Sequence, residues 1–364
     1  MTPLRTLIVG CGAVAQRLYL KPLRRLERRG LLRIVGLVDP AARHAEAVGS
    51  RFPEAARYVD LDEALQASVP ELTLILSPAH LHCGQTIRAL RHGSHVLCEK
   101  PMAVTERECV LMNDAAAAAG RILAVGMIRR FFPAYTQFRS LIQEQQLGTL
   151  TSFEYREGHK FEWDVTTPAA FRPRRTGGTG VLFDIGPHAI DHLTWTFGAL
   201  KPLAYGDDAL AGVESNVSLE AETRIDRCSG SVHLSWNEPQ TNELRVIGTR
   251  GEAVLRIGHF DQLAVKRGAS FEPQPVHVSF AADARPGGGA RLSPRSYPEA
   301  VYCQIVQVVR AITLGEQPAV DGESARACVS FLETALAMAR PLDVPWLPGS
   351  QQHTFRELHW SSPA

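Results

Sequence analysis

The segment 7–15, Leu-Ile-Val-Gly-Cys-Gly-Ala-Val-Ala, constrains this chain more than any other stretch. Three apolar residues of the kind found in a strand buried on both faces run into a turn with glycine at 10 and 12 and a small residue at 15. A helix-like spacing follows over 14–29, with Val14, Leu18, Leu23 and Leu26 set among basic residues; Pro22 is expected to kink it or end a turn. Gly10 permits the tight reversal, Gly12 lets a pyrophosphate approach the backbone, and Ala15 allows close packing of helix on strand. The helix N-terminus then receives negative charge, so Gly10, Cys11, Gly12, Ala13 and Val14 form a candidate dinucleotide cradle. Asp39 closes the next apolar run, 34–38, where a carboxylate accepts hydrogen bonds from the adenosine ribose and repels a 2′-phosphate, which favours NAD over NADP. Arg43 supports the opposite choice if it reaches a 2′-phosphate, and otherwise reads as a solvated helix residue.

The alternation continues through strand-like 72–76, a helix from about 84 to 92, strand-like 94–98, a helix over 106–120 that stops at Gly120, and strand-like 122–126. This is the pattern of βαβ units, an α/β class with a doubly wound parallel Rossmann sheet at the N-terminus. After Gly126 the segments 151–156, 215–223, 230–236, 243–248 and 253–257 are short, β-rich and closely spaced, which favours antiparallel strands in a second, α+β domain. The Pro- and Gly-rich stretch 281–298 reads as a loop, and helices follow over about 297–314 and 322–339. The expected division is 1–126 and 127–364. A length of 364 residues suits two domains with their own cores.

The charges nearly cancel, at +1, with no long run of one sign, which argues against nucleic acid or a membrane surface as partner and leaves a small molecule. Cys11, Cys83, Cys98, Cys109, Cys228, Cys303 and Cys328 are scattered without a CxxC pair, so neither a disulfide framework nor a zinc module is indicated. No apolar run reaches the length of a spanning helix, and the N-terminus has no apolar leader, so a reduced, soluble, cytoplasmic protein is expected.

Two further stretches carry a family resemblance. Ser77-Pro78-Ala79-His80-Leu81-His82 leads to His95-Val96-Leu97-Cys98-Glu99-Lys100-Pro101, and residues 177–191 read Gly-Gly-Thr-Gly-Val-Leu-Phe-Asp-Ile-Gly-Pro-His-Ala-Ile-Asp. The chain resembles the Gfo/Idh/MocA oxidoreductases in its Glu-Lys-Pro motif and its Asp-x-Gly-x-His-x-x-Asp segment, and the match runs over nearly its whole length. The resemblance implies a Rossmann domain followed by a domain with a largely antiparallel open sheet, whose free face commonly makes a homodimer or homotetramer in relatives.

It also implies hydride transfer between a nicotinamide and a secondary hydroxyl or carbonyl of a sugar, cyclitol or sugar derivative. Such chemistry needs a base for the hydroxyl proton and a donor for the forming carbonyl, and Lys100, Asp184 and His188 are the candidates. Pro187 suits a helix start, so Asp184 and His188 form an i, i+4 pair there, and the macrodipole disfavours a charged imidazole at that end. His188 is then the proton acceptor, Asp184 its orienting partner, and Lys100 the donor to the reacting oxygen. Ser77, Pro78, His80, His82 and Glu99 are expected along the cofactor, with Glu99 anchoring the Lys100 turn or touching ribose. A metal cluster of His80, His82 and Cys83 is the weaker reading of those residues. Arg129, Trp163, Arg172 and Asp191 are candidate substrate contacts, against a packing or surface role. The family also contains silent dinucleotide sensors and redox-neutral NAD-using glycosidases; Lys100, Asp184 and His188 together argue against the sensor.

Overall fold

The computed structural model describes residues 2–160, 180–209 and 213–342. The chain forms two compact units, Met1–Pro133 with Val278–Val329, and Ala134–His277 with Ser330–Ala364.

In the first unit, β1 (Leu4–Val9), β2 (Leu32–Val38), β3 (Ala56–Tyr58), β4 (Leu72–Ile75), β5 (His95–Cys98) and β6 (Leu123–Val125) form a sheet in the order β3-β2-β1-β4-β5-β6. Every neighbouring pair is parallel. Leu7, Ile8, Leu72, Leu74, Val96 and Leu97 are fully buried, as strands covered on both faces require. The order reverses between β1 and β4, so the carboxyl ends of these two strands open the crevice in which doubly wound sheets hold ligands.

Where a kink or the end of a turn is expected at Pro22, the helix runs on: a π-helical turn, Ala15–Tyr19, passes directly into the regular helix Leu20–Arg28, which contains Pro22. The Leu20 N–H still donates to the Ala15 carbonyl, so the π turn lies just before the position at which Pro22 lacks an N–H. Helix Ala79–Arg91 begins at Ala79 rather than near 84: Pro78 is extended, and its carbonyl accepts the Leu81 N–H. Thr105 caps helix Glu106–Ala119 by accepting the Glu108 N–H, and Gly120 closes it with φ +61°.

The compact unit that carries the parallel sheet also takes Val278–Val329, whereas the sequence division assigns everything after residue 126 to the second domain. The reason is one amphipathic helix, Tyr297–Leu314, whose Val301, Ile305, Val306 and Val309 are buried and which packs on Leu20–Arg28 and on the turn Ile128–Phe131. The loop read over 281–298 is closed by a short antiparallel pairing of Phe280–Ala281 with Arg291–Leu292.

The second unit is built on β7 (Leu150–Gly158), β8 (Leu200–Asp207), β9 (Asn216–Thr223), β10 (Ser229–Ser235), β11 (Glu243–Gly248), β12 (Gly251–Arg256), β13 (Leu263–Lys266) and β14 (Phe271–Pro273). Their order is β14-β13-β12-β11-β7-β10-β9-β8, with Ala339–Pro341 beside β8. Pairing is antiparallel except for β7 with β10 and β8 with Ala339–Pro341. Phe153, Tyr155, Leu219, Val232, Leu244 and Val246 fill the buried face, where Phe153 stacks on Phe197 at 5.8 Å. Alternate residues such as Arg156, Arg245 and Glu252 populate the other face, as period-two strands dictate.

Candidate active site

The glycine-rich turn and the turn after β4 touch through bare backbone. Gly10 has φ +90°, and a Cβ on it would stand 2.6 Å from the Ser77 amide nitrogen and 2.8 Å from the Leu76 carbonyl carbon. Only glycine supplies both the conformation and the clearance. Asp39 is almost wholly buried, with Oδ2 accepting the Cys11 N–H at 2.8 Å and Oδ1 accepting the Ala41 N–H at 2.8 Å. A carboxylate has about four acceptor positions, so ribose hydroxyls can still donate to it. This bare turn at a helix start, with a fixed carboxylate beside it, fits a dinucleotide. Burial, with Asp39 beside it, pushes the Cys11 thiol up to about 12, so Cys11 contributes its backbone rather than a thiolate. His44, which no sequence signal singled out, places Nδ1 3.4 Å from Asp39 Oδ1.

Ser77 and Pro78 are partly accessible and His80 is exposed, whereas His82 is buried. The His82 ring spans two main-chain oxygens, with Nε2 2.7 Å from the Ser77 carbonyl and Nδ1 2.8 Å from the Pro101 carbonyl. Burial pushes the pKa of His82 below the ordinary histidine range, against the pull of those carbonyls. His82 thus ties the turn after β4 to the turn after β5. The Lys100–Pro101 peptide is cis. Glu99 accepts the Tyr19 hydroxyl at 2.6 Å on one oxygen and the Lys100 N–H at 3.0 Å on the other. Burial raises the pKa of Glu99, opposed by the Tyr19 hydrogen bond and the Lys100 charge. The structure therefore joins Gly10, Ser77, His82, Glu99 and Lys100 in one cluster at the carboxyl ends of β1, β4 and β5.

In the second unit, Asp184 ends the short helix Val181–Asp184, and the chain passes through helical Ile185 into helix Gly186–Phe197. Pro187 lies in the first turn of the longer helix, followed by His188. From Gly180 to Leu193 every residue is buried except Asp184 and His188, so the spacing of four gives two neighbouring accessible side chains on a buried scaffold. The Trp236 indole N–H donates to Asp184 Oδ2 at 3.2 Å. Glu214 is fully buried and accepts the Leu182 N–H at 3.1 Å, and a Cβ on Gly180 would collide with its carboxylate. Trp236 and Glu214 hold this segment from the residue after β10 and from the chain before β9. Nothing local in the sequence marks them, because each acts across a long separation.

Arg129 is buried in the turn Ile128–Phe131, and Asp191 is buried in helix Gly186–Phe197. Trp163, Arg172 and the glycines at 177 and 178 lie outside the described residues. Among the described residues, no group of three or more His, Cys, Asp or Glu is placed to share a metal ion.

A doubly wound unit with a bare phosphate turn, joined in sequence to a unit on a mostly antiparallel sheet, defines a dinucleotide-binding α/β protein. The family model described as "Oxidoreductase family, NAD-binding Rossmann fold" matches residues 4–127, and the GFO/IDH/MocA C-terminal domain model matches residues 135–254. The chain belongs to the Gfo/Idh/MocA oxidoreductase family. It is 30% identical over 200 residues to D-glucoside 3-dehydrogenase of Escherichia coli, covering 54% of this chain and 55% of that protein. It is 30% identical over 156 residues to a scyllo-inositol 2-dehydrogenase (NADP(+)) of Bacillus subtilis, covering 43% of each. The chain spans about half the length of the curated relatives it matches. A solved structure of levoglucosan dehydrogenase in complex with NADH and levoglucosan shares the fold, with TM-score 0.78 at 20% identity, covering 93% of this chain and 97% of that one.

Proposed function

We propose that this protein is an NAD(P)-dependent dehydrogenase or reductase acting on a secondary hydroxyl or carbonyl of a sugar, cyclitol or sugar derivative. The observation that carries the proposal is the Asp184–His188 pair, the two accessible side chains of an otherwise buried stretch, with Asp184 oriented by Trp236. A bound nicotinamide supplies the hydride acceptor or donor. His188 takes the hydroxyl proton in the oxidative direction, and Asp184 orients His188 or the substrate hydroxyl. Lys100 hydrogen-bonds the reacting oxygen and helps relay the proton. Asp39 favours NAD over NADP through its charge at the ribose. The dehydrogenase names of the relatives support the substrate class. NADH formation across a panel of sugars and polyols tests the proposal: turnover by the native protein and a loss of about 10²- to 10⁴-fold in His188→Ala are expected. Wild-type turnover in His188→Ala sinks the assignment.

The assembly belongs to the same proposal. A homodimer or homotetramer forms through the free face of the second sheet, which carries Arg156, Arg245 and Glu252 rather than a packed layer. A monomer mass in light scattering at every concentration overturns it. The cysteines are free and mostly buried, which supports a cytoplasmic location. Among the described residues no helix is long and apolar enough to cross a membrane.

A further inference from the structure

The Lys100 main chain is held by Glu99, the residue expected either to anchor the lysine turn or to touch ribose, and Glu99 is held in turn by Tyr19. Tyr19, wholly buried, ends the π-helical turn that follows the glycine-rich segment. Extra π turns within helices occur often at functional sites. Its hydroxyl has a single hydrogen and gives it to Glu99 Oε1 at 2.6 Å, while its oxygen accepts from Gln304 Nε2 at 3.3 Å. The opposite oxygen of Glu99 receives the Lys100 main-chain N–H at 3.0 Å. A Cβ on Gly126 would stand 3.0 Å from Glu99 Oε1, so the absence of a side chain there leaves the carboxyl its place. Gln304 of helix Tyr297–Leu314 thus donates to Tyr19, and the Tyr19 hydroxyl and the Lys100 main-chain N–H converge on the two oxygens of Glu99.

We infer that Tyr19 is a positioning residue for Lys100, acting through Glu99, so that the π-helical turn after the glycine-rich segment and the lysine turn are held as one piece. The inference deepens the proposed function and rests on its assignment of Lys100. A carboxylate that accepts a hydroxyl and a backbone N–H makes charge-assisted bonds of fixed direction, and these fix the peptide from which the Lys100 side chain departs. The titratable groups facing Glu99 are Tyr19, Lys100 and Cys98. Removing the Tyr19 hydroxyl takes away a bond that favours the charged carboxylate, so the variant's Glu99 gains a proton at higher pH.

The test compares Tyr19→Phe, Glu99→Gln and the double variant in the full-length protein. Acetylation of Lys100, followed by mass spectrometry against Lys21, Lys160, Lys201 and Lys266 as internal references, reads the lysine turn without any turnover. It is expected to speed up several-fold in each single variant and no further in the double. In turnover assays kcat falls about 10- to 100-fold with little change in NADH affinity. The acidic limb of the pH profile moves to higher pH in Tyr19→Phe, and Glu99→Gln no longer responds to the second change. Melting temperatures and NADH titrations identify variants that lose activity by unfolding. Unchanged Lys100 acetylation in folded Tyr19→Phe overturns the inference, as do single effects that multiply in the double variant. If the native protein turns over no hydroxyl substrate, the proposed function fails while the acetylation result still decides the role of Tyr19.

Discussion

Asp39 is a buried charge whose two oxygens are already engaged by backbone N–H groups on either side of it, from Cys11 and Ala41. Such a carboxylate is fixed in direction and cannot swing away from an incoming phosphate, so the selectivity in the proposed function resides in its charge. Asp39→Asn removes the repulsion and keeps one acceptor oxygen, while its amide nitrogen loses the backbone bond from either Cys11 or Ala41. The ratio of NAD to NADP affinity is expected to fall by about tenfold, equivalent to roughly 1.4 kcal/mol, in fluorescence titrations of the reduced coenzymes. An unchanged ratio would assign selectivity elsewhere, with Arg43 the first candidate.

At the scale of elements, two short connections are set by polar residues rather than by apolar periodicity. Asp283 accepts hydrogen bonds from the Arg285 backbone and side chain and stands 3.9 Å from Arg29, which staples the loop before helix Tyr297–Leu314 to the first unit. Arg285 foremost holds the Asp283 carboxyl below the ordinary carboxylate range, at about 2. A group with a depressed native pKa contributes its full stability above the unfolded value of about 3.9, and that contribution is lost as pH falls toward the native value. Asp283→Asn should therefore melt below the wild type at neutral pH, with the gap closing as the pH is lowered to about 2. A gap that stays constant across that range would remove the ion pair from the account. The second connection is the segment before His188, where Trp236 and Glu214 hold Asp184 and its helix. Trp236→Phe keeps an aromatic ring, smaller than the indole, and removes the indole donor, and is expected to lower kcat in hydroxyl oxidation while leaving NADH binding intact; equal kcat in variant and native protein would strip Trp236 of that role.

At the scale of the whole molecule, the chain returns after the second sheet to complete the first unit. Ile305 is fully buried in helix Tyr297–Leu314, and Ile305→Ala is expected to cost about 2–5 kcal/mol in urea unfolding. A loss well under 1 kcal/mol would mean that the helix is not part of that core. Five of the six parallel strands and the glycine turn were legible in the sequence because each is a local pattern, an apolar run or a missing side chain; β3, three residues that are not buried, was not. The spacing of four between Asp184 and His188, the two partly accessible residues from Gly180 to Leu193, was legible for the same reason. The helices Ala42–Gly49 and Leu61–Ser68 were not separated, since each is short and has only a brief apolar stripe. Nor did any local pattern mark Tyr19 as the partner of Glu99, Gln304 as the partner of Tyr19, or Trp236 as the partner of Asp184, because those bonds join residues far apart in the chain. By itself the sequence determined the fold class and the dinucleotide turn, both of which depend on short-range spacing. Only the tertiary structure decided which unit takes Val278–Val329, which carbonyls His82 ties together and what holds the Lys100 turn, because burial and hydrogen-bond partners are settled by how distant segments pack.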